Sequence, residues 1–284
     1  MAVMNFNPHD PQNLILSDPA MVTEKLLYFA QAGPEQIYYL FDFDRTLTTS
    51  KHTGDNTTTW QILHGLLSDE GRKLSNAIRQ KYLKMEDDGL LTREDAHAFS
   101  ATLLDLHALH GTNRRDMEQA ATQIRLRDGS EALFGACDAA HIPTVILSAG
   151  IRDIIELVAR ENNIHPTLLL SIKLQFDDNG RIIGWDKDSM ILTNNKNENV
   201  KQWVSHIASA RPLTVLIGDT VEDAKMVEGD QNVLRIRVCD SAVNDDYLKK
   251  SFAAGYDIVV EEDLEPLADL TNWLAAAGVP NSRV

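Results

Sequence analysis

The stretch Ile37-Tyr38-Tyr39-Leu40-Phe41-Asp42-Phe43-Asp44-Arg45-Thr46 joins a short apolar run to a group of acidic and hydroxyl-bearing residues. A continuous apolar run of this length is typical of a strand that is buried on both faces, as in a parallel sheet covered by helices. Such sheets bind their ligands beyond the carboxyl ends of the strands. Residue alternation points Asp42 and Asp44 the same way, away from Phe43. The end of this strand is therefore the first candidate site.

Strand and helix signals alternate along much of the chain. Strands are expected at 37–41, 143–147, 168–176, 181–185, 213–217, 233–238 and 257–260, and helices at 18–32, 130–141, 151–162, 197–209, 220–227, 244–253 and 264–277. This alternation predicts an α/β fold with a doubly wound, mostly parallel sheet. Asp177-Asp178-Asn179-Gly180 is an exception, because this turn sequence predicts a hairpin between two short strands.

Between residues 55 and 127 the signals are those of helices alone. The expected helices are 57–67, 69–86, 92–110 and 113–125, and no convincing strand separates them. We therefore expect two units. Residues 1–54 and 128–284 form the catalytic core, and residues 55–127 form a helical cap that is inserted after the first motif strand, at the carboxyl edge of the sheet.

The composition excludes several classes of function. The 284 residues include 27 Lys+Arg and 42 Asp+Glu, which gives a formal net charge of −15. This excess of acid argues against a nucleic-acid polymer or an anionic membrane as the partner, because both attract clustered basic side chains. The apolar runs are too short to span a bilayer, and the first residues lack the pattern of a signal peptide. The expected compartment is the cytoplasm.

Two further strand ends carry small polar or acidic residues. Ser148-Ala149-Gly150 follows one strand, and Gly218-Asp219-Thr220-Val221-Glu222-Asp223 follows another. Each motif alone is also typical of a turn or a helix cap, but their order, each directly after an apolar strand, favours a site. The carboxylates that would converge there are Asp42, Asp44, Asp219 and Asp223. A set of oxygen ligands with few nearby cations suits Mg²⁺.

These motifs resemble those of the haloacid dehalogenase-like superfamily. Asp42-Phe43-Asp44-Arg45-Thr46-Leu47 resembles its first motif, Ser148 its second, and residues 218–223 its fourth. Dehalogenases themselves lack the second Asp of the first motif, so Asp44 points to the phosphatase branch. More closely, the chain is similar to the cytosolic pyrimidine 5′-nucleotidase family, the type III cytosolic nucleotidases. The stretches that carry this similarity are 126–129, 146–151, 176–180, 195–196 and 256–259.

The resemblance implies a role for each motif residue. Asp42 would attack phosphorus and form an aspartyl-phosphate, and Asp44 would protonate the leaving oxygen and then activate water. The residues expected to bind phosphate are Thr46, Ser148, Ala149, Gly150 and Lys196, although Lys201 could serve in place of Lys196. Those expected to hold Mg²⁺ are Asp42, Asp219, Asp223 and, through its backbone carbonyl, Asp44. We expect Asp223 to lie near the edge of the site.

The helical cap is expected to select the leaving group. Glu86 lies where the resembled family has a Glu that meets the nucleobase, and the alternative for it is a solvated position on a charged helix. We expect a phosphomonoesterase that acts on a small phosphorylated substrate, namely a 5′-nucleotidase that hydrolyses pyrimidine nucleoside 5′-monophosphates. The alternatives are a phosphatase or phosphotransferase for another small phosphate ester and, in a different class, a phospho-receiver domain or a degenerate binding protein.

Overall fold

A seven-stranded sheet with helices around it forms the main part of the structure. The computed structural model describes residues 7, 13–49, 58–87, 90, 92–240 and 243–277. The strands in these ranges are β1 (Leu14–Leu16), β2 (Ile37–Phe41), β3 (Thr144–Ile151), β4 (Leu168–Ile172), β5 (Leu174–Phe176), β6 (Ile182–Trp185), β7 (Leu213–Gly218), β8 (Val233–Cys239) and β9 (Ile258–Glu261). The helices are α1 (Pro19–Ala32), α2 (Thr59–Gly65), α3 (Asp69–Asp87), α4 (Arg93–Leu109), α5 (Arg114–Ala121), α6 (Ser130–Ala139), α7 (Arg152–Glu161), α8 (Lys196–Asn199), α9 (Ser205–Ala210), α10 (Asp245–Ala253) and α11 (Glu265–Ala277).

The strand order of the sheet is β1-β9-β8-β7-β2-β3-β4. All neighbours are parallel except β1, which pairs antiparallel with β9 at the edge. The predicted α/β fold with a mostly parallel sheet is therefore confirmed. The sequence pattern did not predict β1, because three residues at a sheet edge are too few to show a periodicity.

The central strand β2 is buried on both faces, as its apolar sequence predicts. Tyr39 and Phe41 pack into one hydrophobic cluster, whereas Tyr38 and Leu40 pack into another on the opposite face. The ring of Phe41 stacks on that of Phe134 with a centroid distance of 4.9 Å. Because side chains on both faces anchor it, β2 is a rigid support for the residues that follow.

Several expected elements differ from the observed ones. The expected helix 197–209 is divided into α8 and α9 by a π-helical segment at Val200–Val204. The expected strand 168–176 is interrupted at Lys173, because the backbone N–H of Lys173 donates to Ser189 Oγ at 2.9 Å instead of continuing the sheet. β3 extends to Ile151, which pairs with Ile172 after a shift of register. The expected helix 220–227 is reduced to a 3₁₀ turn at Asp223–Val227.

The predicted hairpin at 177–180 is confirmed. β5 and β6 pair antiparallel in a separate two-stranded sheet. Asp177 Oδ1 accepts the backbone N–H groups of Asn179 at 2.9 Å and Arg181 at 2.8 Å, and Gly180 adopts a φ of 77°. Glycine adopts this positive φ without the steric strain that a Cβ would bring, which explains why the turn ends in glycine.

The hairpin packs against helices α4 and α5, which lie between β2 and α6 in the chain. The backbone N–H of Ile182 donates to the Thr112 carbonyl at 2.8 Å, and that of Arg114 donates to the Gly180 carbonyl at 2.7 Å. Trp185 Nε1 donates to Asp105 Oδ1 at 3.2 Å. The helices predicted for 55–127 are thus present as α2–α5, and their role as a cap stays a prediction. Throughout the described ranges, every helix is too short or too polar to cross a lipid bilayer.

Candidate active site

Three adjacent strands bring the sequence motifs together at one edge of the sheet. β2 lies between β7 and β3, and because the three run parallel their carboxyl ends meet. Asp42 directly extends β2, since its backbone N–H donates to the Ile217 carbonyl at 3.0 Å, and its side chain is buried. Ser148 is buried within β3, and Asp219 follows β7. Residues from distant parts of the chain therefore share one site.

Lys196 is the buried cation of this site. Its Nζ donates to Asp42 Oδ1 at 2.6 Å and to Asp223 Oδ1 at 2.7 Å. Lys201 is exposed, so of the two lysines considered from the sequence only Lys196 reaches the carboxylates. Burial alone would lower the pKa of Lys196, but the carboxylates of Asp42 and Asp223 outweigh it and raise that pKa. The ammonium group therefore stays charged at neutral pH.

Three carboxylates form the only cluster of potential metal ligands within the described ranges. Asp42, Asp219 and Asp223 each offer an oxygen, and these oxygens lie within 4.8 Å of one another. Thr46 Oγ1 lies 3.3 Å from Asp42 Oδ2 and 3.2 Å from Asp219 Oδ1. Burial raises the pKa of Asp42 and of Asp219, and for Asp219 the neighbouring carboxylates raise it further. Carboxylate oxygens that lie this close repel one another, and a hard divalent cation bound between them would remove that repulsion.

Asp223 lies inside the site, so the expectation that it sits near the edge is wrong. Its side chain is 2% exposed, and besides Lys196 it contacts the backbone N–H of Thr220 at 3.0 Å and the Thr220 hydroxyl at 2.8 Å. The reason is the tight turn after β7, which directs Asp223 back toward the strand end. Gly218 permits this approach, because a Cβ there would lie 2.5 Å from the Cβ of Asp223.

Asp44 is half-buried and is held by Thr59, a residue that the sequence analysis did not identify. The Thr59 backbone N–H donates to Asp44 Oδ1 at 2.8 Å, and its hydroxyl donates to Asp44 Oδ2 at 2.7 Å. Burial raises the pKa of Asp44 to about 7, against the opposing effect of these two hydrogen bonds. A carboxyl group that changes protonation near neutral pH can serve as a general acid and as a general base.

The second motif lies within β3 and not beyond it. Ser148 Oγ accepts the backbone N–H of Gly150 at 3.0 Å, and the Ala149 carbonyl accepts Nε1 of Trp60 at 2.9 Å. Gly150 packs beside Asp44, where there is no room for a larger residue. The Ser148 hydroxyl is therefore oriented toward the main chain of its own motif. Phosphate contacts by Ser148, Ala149 and Gly150 stay a prediction.

Arg127 supports the loop that carries the first motif, although no role was predicted for it. Its buried guanidinium donates to the carbonyls of Arg45 at 2.7 Å, Thr46 at 3.0 Å and Glu262 at 2.7 Å, and it pairs with Asp240 at 3.0 Å. Arg45 adopts a φ of 67°, which is uncommon for a residue other than glycine. Arg127 thus stabilises the strained turn at Arg45, next to the site.

The base-contact role of Glu86 stays a prediction. Glu86 belongs to α3, but its side chain lies outside the described residues. The structure describes the positions of two other side chains of the helical segment. Trp60 contacts the second motif as described above, and His64 Nδ1 lies 2.9 Å from Ser75 Oγ.

Comparisons with known proteins agree with this fold. A family model described as pyrimidine 5′-nucleotidase (UMPH-1) matches residues 45–274. The chain is 30% identical over 264 residues to a 7-methylguanosine phosphate-specific 5′-nucleotidase A of Xenopus laevis, covering 87% of this chain and 90% of that protein. A crystal structure of a cytosolic 5′-nucleotidase IIIB bound to cytidine is similar with a TM-score of 0.79 and 24% identity, covering 94% of this chain and 95% of the other.

A phosphoserine phosphatase with an analogue of a phospho-aspartyl intermediate shares the fold more distantly. The TM-score is 0.54 at 18% identity, over 82% of this chain and 97% of that one. This likeness shows that the chain shares its fold with phosphatases of the haloacid dehalogenase-like superfamily. Because the family model matches most of this chain, the chain belongs to the pyrimidine 5′-nucleotidase (UMPH-1) family. It is a phosphoric monoester hydrolase with the haloacid dehalogenase-like fold.

Proposed function

We propose that this 5′-nucleotidase works through an aspartyl-phosphate on Asp42, depends on Mg²⁺, and takes nucleoside 5′-monophosphates as substrates. The observation that carries the proposal is the surroundings of the Asp42 carboxylate. Lys196 Nζ lies 2.6 Å from it, and a second acid with a pKa raised to about 7, Asp44, lies two residues further on. A buried nucleophile beside a fixed cation and an acid–base group suits a two-step phosphoryl transfer.

In the first step, an Asp42 carboxylate oxygen attacks phosphorus while the bond from phosphorus to the 5′ oxygen breaks. The leaving 5′ oxygen takes a proton from Asp44, because an alkoxide is a poor leaving group. Lys196 and the hydroxyl groups of Thr46 and Ser148 are suited to bind phosphate oxygens. The products of this step are the nucleoside and an acyl phosphate on Asp42.

In the second step, Asp44 acts as a base, because it is now ionised. It accepts a proton from a water molecule whose oxygen attacks phosphorus, and the bond between phosphorus and Asp42 breaks. Inorganic phosphate leaves, Asp42 returns to its carboxylate form and Asp44 to its protonated form. The raised pKa of Asp44 supports both roles at neutral pH.

The residues proposed to hold Mg²⁺ are Asp42, Asp219, Asp223 and the backbone carbonyl of Asp44. The cluster of three carboxylates supports this, because burial and the neighbouring carboxylates disfavour the ionised forms of Asp42 and Asp219 without a cation. When bound, Mg²⁺ supplies positive charge that neutralises the attacking carboxylate and the phosphoryl oxygens. Lys196 already contacts two of the carboxylates, so the chain itself provides part of this charge.

For the base of the substrate, we propose a cytidine-type pyrimidine or 7-methylguanosine. The family description names pyrimidines, whereas the Xenopus relative is named for 7-methylguanosine phosphate. A carboxylate such as Glu86 could accept a hydrogen bond from the amino group of either base, and it would also attract the positive charge of 7-methylguanine. Helices α2–α5 are proposed as the cap that carries this recognition. The cytosol is the proposed compartment, as in the name of the solved relative.

The central test is the Asp42→Asn variant. An amide is a far poorer nucleophile than a carboxylate, so phosphate release from cytidine 5′-monophosphate should fall to background while the circular dichroism spectrum stays unchanged. Acid quenching of the wild type during turnover should yield a protein heavier by one phosphoryl group, and the variant should lack it. Wild-type turnover by purified Asp42→Asn would refute the covalent step.

A substrate panel tests the choice of base. We would compare kcat/KM for cytidine, uridine, guanosine and 7-methylguanosine 5′-monophosphates with that for p-nitrophenyl phosphate. The guanosine pair differs by one methyl group and the charge that it brings, and the pyrimidine pair differs by an amino group. Preference for the cytidine or the 7-methylguanosine substrate supports the proposal, and equal values for all four nucleotides would contradict it.

A further inference from the structure

Thr59 contacts both carboxylate oxygens of Asp44, and it is the first residue of helix α2. Its backbone N–H donates to Oδ1 at 2.8 Å and its hydroxyl donates to Oδ2 at 2.7 Å. The side chain of Thr59 is fully buried. One residue thus fixes both the distance and the rotation of the carboxyl group, although Thr59 belongs to the helical segment and Asp44 to the strand end.

The direction of the hydroxyl bond follows from a third contact. The backbone N–H of Ile151, at the end of β3, lies 3.0 Å from Thr59 Oγ1. A backbone N–H can only donate, so Thr59 Oγ1 accepts this bond, and its own hydrogen is donated to the ionised Asp44 carboxylate, which can only accept. The hydroxyl therefore links the second motif strand, α2 and Asp44 in a fixed order.

The packing around this link leaves little freedom. A Cβ on Gly150 would lie 2.5 Å from Thr59 Oγ1, 2.9 Å from Asp44 Oδ2 and 3.1 Å from Ser148 Oγ. The start of α2 is itself fixed by two reciprocal hydrogen bonds. Thr58 Oγ1 accepts the backbone N–H of Gln61, and Gln61 Oε1 accepts the backbone N–H of Thr58. Asp44 is therefore held by a rigid helix end and not by a loop.

We propose that Thr59 is a positioning residue for Asp44, and that through it the seating of α2 on β3 sets the place of the acid–base group. The inference rests on the proposed function, because it takes Asp44 as the group that exchanges protons with the leaving oxygen and with water. Without the hydroxyl, the carboxyl group loses one of its two fixed partners and can rotate away from the reacting atoms. Misplacement of such a group slows the chemistry more than it weakens substrate binding.

The test compares Thr59→Val, Thr59→Ser and Thr102→Val. Valine keeps the shape and the backbone N–H of Thr59 but removes the hydroxyl, whereas serine keeps the hydroxyl. Thr102→Val is the matched control, because it makes the same substitution in helix α4, where the exposed Thr102 hydroxyl donates only to the Ala98 carbonyl at 2.6 Å and has no contact to Asp44. Thermal unfolding and circular dichroism of all three variants establish that the fold is retained.

The readout is the rate of the first turnover with two substrates. p-Nitrophenolate leaves without a proton, whereas the 5′ oxygen of a nucleoside needs one. For Thr59→Val we expect the release of one equivalent of p-nitrophenolate at a rate within ~3-fold of the wild type, followed by slow turnover. Nucleoside release from cytidine 5′-monophosphate should slow by ~10–100-fold, a part of the ~10²–10⁴-fold that a general acid supplies. Thr59→Ser should release nucleoside at close to the wild-type rate, and Thr102→Val should behave like the wild type with both substrates.

Two results would overturn the inference. One is equal slowing of both first turnovers in Thr59→Val, which would make Thr59 a support for the whole site. The other is wild-type behaviour of Thr59→Val with both substrates. Asp42→Asn and Asp44→Asn, measured in parallel, separate these results from a failure of the proposed function. If Asp42→Asn turns over normally, the covalent mechanism is wrong. If Asp44→Asn shows the substrate difference and Thr59→Val does not, only the role of Thr59 is wrong.

Discussion

Replacing Lys196 by methionine removes the cation from a group of buried carboxylates while keeping most of the apolar stem. The lysine makes two ion-pair hydrogen bonds, at 2.6 Å to Asp42 and 2.7 Å to Asp223, and all three side chains are at least 93% buried. A hydrogen bond to a charged group contributes ~1.5–3 kcal/mol, so the loss of two predicts ~3–6 kcal/mol. Breaking a buried ion pair by removing one partner typically costs ~3–5 kcal/mol, which agrees. We therefore expect the free energy of unfolding to fall by about 3–5 kcal/mol at pH 8.

The assay is urea unfolding, followed by circular dichroism in EDTA, at pH 8 and at pH 6. Lys201→Met is the matched control, because Lys201 is exposed and the same substitution there should change the free energy of unfolding by less than ~0.5 kcal/mol. Without the lysine, the pKa of Asp42 should rise further, since an opposite charge no longer favours its ionised form. The folded state then takes up protons as pH falls, so the destabilisation should be smaller at pH 6 than at pH 8.

Equal unfolding midpoints for Lys196→Met and Lys201→Met at pH 8 would refute this reasoning. Such a result would mean that the desolvation of the lysine cancels its attraction to the two carboxylates. A destabilisation that is larger at pH 6 than at pH 8 would contradict the assignment of the effect to ionised carboxylates.

Four further predictions concern the same site. Asp219→Ala should raise the Mg²⁺ concentration that gives half-maximal phosphate release, and EDTA should stop the wild-type reaction until Mg²⁺ is restored; full activity after thorough chelation would exclude the metal. Gly150→Ala should lower kcat by ~10²-fold or more, because Thr59 Oγ1 and Asp44 Oδ2 must move to admit the Cβ; unchanged kcat would show that the packing relaxes without effect. Glu86→Ala should lower kcat/KM for the preferred nucleotide by an amount that corresponds to ~1–3 kcal/mol and leave p-nitrophenyl phosphate unaffected; equal losses would assign Glu86 to the fold. The free energy of unfolding of the metal-free protein should fall as pH rises through ~4–8, because burial raises the pKa of Asp44 to about 7 and also those of Asp42 and Asp219, so the folded state binds more protons than the unfolded chain; thermal unfolding at a series of pH values measures it.

The parts of the site that the sequence predicted are those in which local pattern and chemistry coincide. The apolar run 37–41 predicts a strand, and a parallel sheet brings the ends of its central strands together. Asp42, Ser148 and Asp219 could therefore be assigned to one edge before the structure was considered. The choice of Lys196 over Lys201 needed the structure, because the two lysines carry the same charge and lie close together in sequence, Lys196 directly before the predicted helix 197–209 and Lys201 within it.

The residues that the sequence did not reveal act through contacts between distant segments. Thr59 reads as one more hydroxyl residue at the start of a helix, and nothing in its neighbourhood indicates a bond to Asp44. Arg127 belongs to a stretch that resembles the family, but apart from Asp240 its partners are backbone carbonyls, which carry no sequence signal. Asp223 was misplaced because regular helical geometry was assumed where a 3₁₀ turn forms.

The contact between the β5–β6 hairpin and the α4–α5 connection determines which parts of the chain could be exchanged with a relative. Segment 58–127 is continuous in sequence, but its backbone pairs with residues 180–182, far along the chain. A chimera that replaced only 58–127 would therefore place a foreign surface against the native hairpin and could lose side-chain contacts such as the bond from Trp185 Nε1 to Asp105. The transferable module is discontinuous, and a graft designed to change substrate preference should carry residues 174–185 together with the helices.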